Sequence, residues 1–146
     1  MRVNKYFKLH EFKCKCGKCE LPHGMPSDSL IDALVEIREH FNKPLRIRSA
    51  YRCAEHNKKV GGAPRSRHTQ GDAVDFVIDN VPTKKVFEYV LKTYNDKPFG
   101  IAISINTQDE FRGFVHLDTR GYKARWSYNK AGEIYLAELK NTLNLA

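Results

Sequence analysis

Two short stretches hold the residues best suited to chemistry. The first is Ser66-Arg67-His68-Thr69-Gln70-Gly71-Asp72-Ala73-Val74-Asp75, where a histidine and a carboxylate stand seven positions apart with a glycine between them. The second is Phe114-Val115-His116-Leu117-Asp118. Imidazole nitrogen and carboxylate oxygen both bind zinc. A helix would put His68 and Asp75 two turns apart, so Gly71 predicts a turn and Asp72 to Ile78 a strand. On that strand Ala73, Asp75 and Val77 share one face, and Val74, Phe76 and Ile78 the other. Asp75 then lies mid-strand among small and apolar groups, where a buried carboxylate needs a partner or a metal. The competing reading of this stretch is a turn histidine beside an aspartate paired with one of the many lysines. His116 and Asp118 share a face of a second strand. Together, His68, Asp75 and His116 make a three-ligand zinc set, the number catalytic zinc uses while keeping its fourth position for water or substrate.

The pattern Ser66-x-His68-x-x-Gly71-x-Ala73-x-Asp75, followed by Phe114 to Asp118, resembles the zinc D-alanyl-D-alanine carboxypeptidase family. That family includes phage endolysins and bacterial wall peptidases and shares its fold with the hedgehog signalling domain. Ser49-Ala50-Tyr51-Arg52 is similar to the family's Ser-Gly-Tyr-Arg, and His56-Asn57 and Val60-Gly61-Gly62-Ala63 follow as expected. Ala124-Arg125-Trp126 is similar to its closing Arg-Trp, so the resemblance runs from roughly Phe7 to Trp126. It implies one zinc peptidase domain over residues 1–146 and hydrolysis of a peptidoglycan stem-peptide amide by zinc-activated water. The bond would be that of a D-Ala-D-Ala carboxypeptidase or an L-Ala-D-Glu endopeptidase. Arg52 takes the place of the family's active-site arginine, where a fixed guanidinium can stabilise a tetrahedral oxyanion. The resemblance also implies substrate contacts for Ser66 and Trp126.

Zinc hydrolysis needs a group to take a proton from the attacking water. Many relatives carry an acid three positions before the last histidine, but here that position is Gly113. Asp118 is the first substitute, because its strand phase matches that of His116. Glu110 is the second, six positions before His116, a spacing similar to that of the hedgehog domain's glutamate. Asp118 can alternatively orient a ligand from behind.

The elements that must hold these residues are legible in part. Ser27 reads as an N-cap with Asp28 in the first turn. Leu30, Leu34, Ile37 and Phe41 recur at helical spacing from Asp28 to Phe41, and Asn42-Lys43-Pro44 stops the helix. Leu45 to Ser49 alternates as a strand, and a short helix follows over Cys53 to Val60. A further helix is predicted from Thr83 to Tyr94, a strand over Phe99 to Ile105, and a hairpin loop from Asn106 to Arg112. Asn129 to Gly132 reads as a turn before a helix from Glu133 to Leu143. Helices grouped with short, hairpin-linked strands predict an α+β fold, a small, mostly antiparallel sheet with helices packed against it. Near the N-terminus, Cys14, Cys16 and Cys19 cluster, with Cys53 as the fourth thiol. The spacing is not that of a zinc finger or ribbon. A structural metal, disulfides and free thiols all remain open readings.

A chain of 146 residues with 41% hydrophobic content suits one domain with a sizeable core. Its 25 basic and 17 acidic residues give a net charge of +8, spread along the chain. Such a surface favours polyanions, either nucleic acid or anionic cell-wall polymers, and its competing reading is an evenly basic, solvated surface. No apolar run is long enough to span a bilayer. Met1-Arg2-Val3-Asn4-Lys5-Tyr6 has charge but no apolar stretch behind it, so no secretory signal is expected. The expectation is a monomer made in the cytoplasm that either acts on the wall after release or stays cytoplasmic. A non-catalytic zinc-binding recognition module on the same fold is the alternative. A nucleic-acid binder would leave His68, Asp75 and His116 unexplained and ranks last.

Overall fold

The computed structural model describes residues 4–145. Met1 to Val3, part of the segment read for a secretory signal, lie outside the described residues. The elements follow as α1 (Asp28–Phe41), β1 (Leu45–Ser49), α2 (Ala54–Lys59), β2 (Ala73–Ile78), α3 (Thr83–Thr93), β3 (Gly100–Ile105), β4 (Gly113–Asp118), β5 (Ala124–Ser127) and α4 (Lys130–Thr142). Two single 3-10 turns, Leu9–Phe12 and Arg67–Gln70, complete them. The strands form one sheet in the order β1-β2-β4-β3-β5. All neighbouring pairs are antiparallel except β3 with β5, which is parallel. This is the expected α+β fold with a mostly antiparallel sheet. Among the described residues, no helix is long and apolar enough to cross a membrane.

The sheet has a greasy face and a polar one. Val74, Phe76 and Ile78 of β2, Val115 and Leu117 of β4, and Ile101 and Ile103 of β3 pack with Leu30, Leu34 and Ile37 of α1 and Val86, Phe87, Val90 and Leu91 of α3. Phe7 and Phe12 fix the N-terminal segment into the same core. The alternate residues, Asp75, His116, Asp118, Ala102 and Trp126, occupy the other face. Register sets them in a row, since Asp75 pairs with His116, His116 with Ala102, and Ala102 with Trp126.

Local sequence accounts for most element ends. The Ser27 hydroxyl accepts from Leu30 N and caps α1, and Asn42 closes that helix in a left-handed conformation. Helix α4 begins three residues earlier than its apolar pattern suggests, at Lys130 instead of Glu133. Asn129 is the cause, because its side chain accepts from Gly132 N as an N-cap. Strand β5 was not expected as a strand. Arg125 anchors it, donating from Nη2 to the carbonyls of Tyr94 and Asn95 just beyond α3, each at 3.2 Å.

Candidate active site

His68 comes from the 3-10 turn that covers the polar face of the sheet. Ser66 caps that turn, its hydroxyl accepting from His68 N at 3.2 Å, and Gly71 ends it with φ +83°. His68, Asp75 and His116 are all buried, and each offers a ligand atom within 4.8 Å of the others. His68 Nε2 lies 3.2 Å from Asp75 Oδ2, and His116 Nδ1 lies 2.9 Å from Asp75 Oδ1.

The partners on the far sides of the rings determine what those nitrogens carry. His68 Nδ1 sits 2.7 Å from the carbonyl oxygen of Ala50. A carbonyl only accepts, so Nδ1 holds a proton. In a neutral ring, Nε2 is then a bare lone pair, and it is a buried atom with no hydrogen-bond partner. His116 repeats the arrangement with its nitrogens exchanged. Its Nε2 lies 2.7 Å from Asp118 Oδ2, a carboxylate already bound by Arg120. Nε2 therefore donates, and Nδ1 is left bare toward Asp75. Two imidazole lone pairs thus converge on the two oxygens of one carboxylate. Such a set of acceptors requires a cation among them or a proton on each ring. Zinc bonds of about 2.0–2.2 Å in a tetrahedron imply donor–donor edges of about 3.3–3.5 Å, close to the spacings seen. Metal-binding histidines characteristically donate their other N–H to a carbonyl or carboxylate, as both rings do here. The residues therefore fit a zinc ion.

Without a metal, protons on the rings take the place of those lone pairs: burial pushes the Asp75 carboxyl up, but hydrogen bonds from His116 and His68, with the charges of both rings, outweigh it and hold the group at about 2. For His116, burial pushes down, and Asp118 and Asp75 push up more strongly, leaving it above the ordinary imidazole value.

Asp118 departs from its sequence reading as a general base. It is fully buried. Its carboxylate receives Gly100 N and Arg120 N at 3.1 Å, Arg120 Nε and Nη2 at 2.8 Å, and His116 Nε2. It therefore stands behind His116, on the ring nitrogen turned away from Asp75. Burial raises its pKa, but Arg120 and His116 hold the carboxyl below the usual carboxylate range, so it is also a weak proton acceptor. Glu110 is not brought to the site either. It is exposed in the β3–β4 loop, its carbonyl accepts from Thr83 N at the start of α3, and it lines a surface cleft with Thr83 and Lys84.

The other expected residues do gather here. Arg52 N donates to the His68 carbonyl at 3.0 Å and its Nη2 to Ser66 Oγ at 3.4 Å, while its buried Nε has no partner. Ser66 thus braces the turn and Arg52 with the same hydroxyl. The Trp126 ring lies 5.1 Å from that of His116, and the Arg120 guanidinium stacks over it at 4.7 Å. The four cysteines form a separate group.

Two residues escaped the sequence reading, Arg120 and Tyr128. Each stands two positions beyond a residue already singled out, so strand alternation was the available signal. Tyr128 is 48% exposed, with its ring 6.2 Å from that of His116. Burial of its hydroxyl, and then the charge of Asp75, raise its pKa, so the phenol keeps its proton at neutral pH.

A sequence model of the family described as Peptidase M15 matches residues 5–118. The matched stretch holds His68, Asp75 and His116 and stops before Trp126. No curated protein matches the chain.

Proposed function

The chain belongs to the peptidase M15 family, the zinc D-alanyl-D-alanine carboxypeptidase-like metallopeptidases, and on that premise we propose that it hydrolyses an amide bond in the stem peptides of peptidoglycan. The observation that carries this reading is the pair of oriented imidazole lone pairs facing the Asp75 carboxylate. His68, Asp75 and His116 hold the zinc in this proposal, and Asp118 and the Ala50 carbonyl fix the two rings. Zinc bound there would supply an activated water at neutral pH and polarise the scissile carbonyl. Arg52, held by Ser66 and with a buried N–H to spare, is the donor for the oxygen that gains charge in the transition state. Trp126 and Tyr128 form an aromatic wall beside His116, with the Tyr128 hydroxyl as a hydrogen-bond donor to the peptide. The net charge of +8 would favour residence on anionic wall polymers.

One observation favours the non-catalytic zinc-binding module instead. Among the described residues, Asp75 is the one carboxylate grouped with the two rings within 4.8 Å, and it is itself a ligand candidate. Mass spectrometry of digested peptidoglycan separates the two readings. A peptidase releases shortened stem peptides, stops when a chelator is added, and resumes when zinc is restored. The mass of the fragments identifies the bond. A zinc-loaded protein that leaves every stem peptide intact, yet sediments with peptidoglycan only when zinc is present, would be the recognition module.

A further inference from the structure

Four sulfurs meet where the N-terminal segment crosses the start of α2. Cys14, Cys16 and Cys19 follow the first 3-10 turn, and Cys53 is the N-cap of α2. All four sulfur atoms lie within 4.8 Å of one another. Cys16 and Cys19 approach to 3.3 Å, Cys14 and Cys53 to 3.7 Å, and Cys16 and Cys53 to 3.9 Å. A disulfide bond is about 2.05 Å long, so these are four separate thiols. Zinc–thiolate bonds of about 2.3 Å set tetrahedral sulfur–sulfur edges of about 3.8 Å, which the observed approaches straddle.

The surroundings suit thiolates. Backbone N–H groups point at sulfur from Lys18 to Cys16 at 3.4 Å, from Cys53 to Cys14 at 3.4 Å, and from His56 to Cys53 at 3.5 Å. Gly17, at φ +72°, lets the chain turn tightly enough for Cys16 and Cys19 to face each other. Lys15, Lys18 and Lys59 line the adjoining cleft. Their charge outweighs that of Glu55 on the same cleft and offsets the excess negative charge of four thiolates on a divalent ion.

We propose that Cys14, Cys16, Cys19 and Cys53 hold a second zinc ion that pins the N-terminal segment to the corner carrying Arg52. Four protein ligands leave no open position, the pattern of a structural site. The corner is already drawn to both neighbours, with Tyr51 N donating to the Phe12 carbonyl at 3.1 Å and Arg52 N to the His68 carbonyl at 3.0 Å. The ion would join these segments by metal–thiolate bonds, adding to the packing of Phe7, Phe12, Tyr6 and Leu21 against the core.

The test is metal stoichiometry on the full chain, purified without chelator under mild reduction. The unaltered protein should carry about two zinc ions per chain. The His68→Ala/His116→Ala variant should keep about one, and cobalt exchanged into it should show intense thiolate-to-metal charge transfer. Its cysteines should resist alkylation until a chelator is added. The Cys16→Ser/Cys19→Ser variant should lose the second ion. Should that variant not fold, the histidine variant still gives the answer through its cobalt spectrum and thiol protection. Rapid native alkylation of all the thiols without chelator, or a mass lowered by paired hydrogens, would overturn the proposal in favour of free thiols or disulfides. If the unaltered chain held one ion, lost only in the cysteine variant, this inference would stand and the histidine site would fail.

Discussion

Replacing Asp118 with Asn distinguishes the two roles open to this carboxylate. As a base it would act on substrate water, and its loss would slow turnover while sparing fold and metal. Its geometry argues instead for a buried orienting group. Five donors reach its two oxygens, among them the Arg120 guanidinium and His116 Nε2. Asn keeps the shape, removes the charge, and turns an NH2 either toward His116 Nε2 and Arg120 Nη2 or toward Gly100 N, Arg120 N and Arg120 Nε. Arg120 loses an acceptor in both orientations, in a place where the Asp118 side chain is 0% and the Arg120 side chain 14% exposed. Removing one partner of a buried ion pair costs about 3–5 kcal/mol. At roughly 2–4 °C per kcal/mol for a domain of this size, the thermal midpoint should fall on the order of 10 °C. His116 also loses the partner that fixes its tautomer, so zinc affinity should drop about 10–100-fold. Thermal denaturation of the chelated protein measures the first effect, and competition against a chromogenic chelator the second. A variant with unchanged midpoint and zinc affinity but turnover slowed by about 10²–10⁴-fold would refute the orienting role and restore Asp118 as the base.

Three further outcomes follow from the same geometry. Gly100→Ala should destabilise by about 1–3 kcal/mol and weaken zinc binding, because the new Cβ would lie 2.6 Å from both Asp118 Oδ1 and Arg120 Nε; an unchanged zinc affinity would argue against Asp118 as the support of His116. Gly113→Asp should not furnish the acid that many relatives carry there, since Gly113 has φ +82° and its Cβ would overlap the Ser104 carbonyl. That variant should lose stability without gaining turnover, and a faster, equally stable enzyme would contradict this. In metal-free protein, Asp75 is shifted down to about 2 from 3.8, so its contribution is present above about 4 and lost as pH falls through about 2. His116 is shifted up, so its contribution is full below about 6.5 and lost as pH rises through its folded value. The denaturant midpoint of the chelated protein should therefore peak at about pH 4–6; a steady rise toward alkaline pH would count against the coupling.

The His68–Asp75–His116 group was legible because ligand type and strand phase are local properties. The α1 cap at Ser27 was legible for the same reason, and the greasy face of the sheet followed from simple alternation. Phase alone says which face Asp118 occupies, but not which nitrogen of His116 it meets. That depends on the cross-strand register with Gly100 and on Arg120 closing from beyond the strand end. The position of Glu110 is not legible from spacing, because a hairpin loop is shaped by tertiary bonds, here its carbonyl on Thr83 N. Strand β5 is short and pairs in parallel with a strand more than twenty residues earlier, a contact with no local signal. Nor could spacing alone bring Cys53 to a cluster 34 residues upstream at its nearest member.

Strand β3 shows how far the site shapes residues that never touch a metal. Its core-facing positions are Ile101, Ile103 and Ile105, and the alternate ones are Gly100, Ala102 and Ser104. Val or Ile in the second set would favour a strand at least as well, so β-propensity does not explain the small residues. The register does. Gly100 lies opposite Asp118 and Ala102 opposite His116, with Trp126 on the far side of Ala102. A larger side chain at position 102 would compete with the space in which the His116 and Trp126 rings approach to 5.1 Å. Any side chain at 100 would collide with the carboxylate that holds His116. The small residues of β3 form the floor of the site, leaving the volume its rings and carboxylates occupy, and Gly100 trades strand stability for that room. An alternation of branched and minimal residues beside a strand bearing His and Asp is therefore a sign of the site in its own right, readable from the chain before any fold is known.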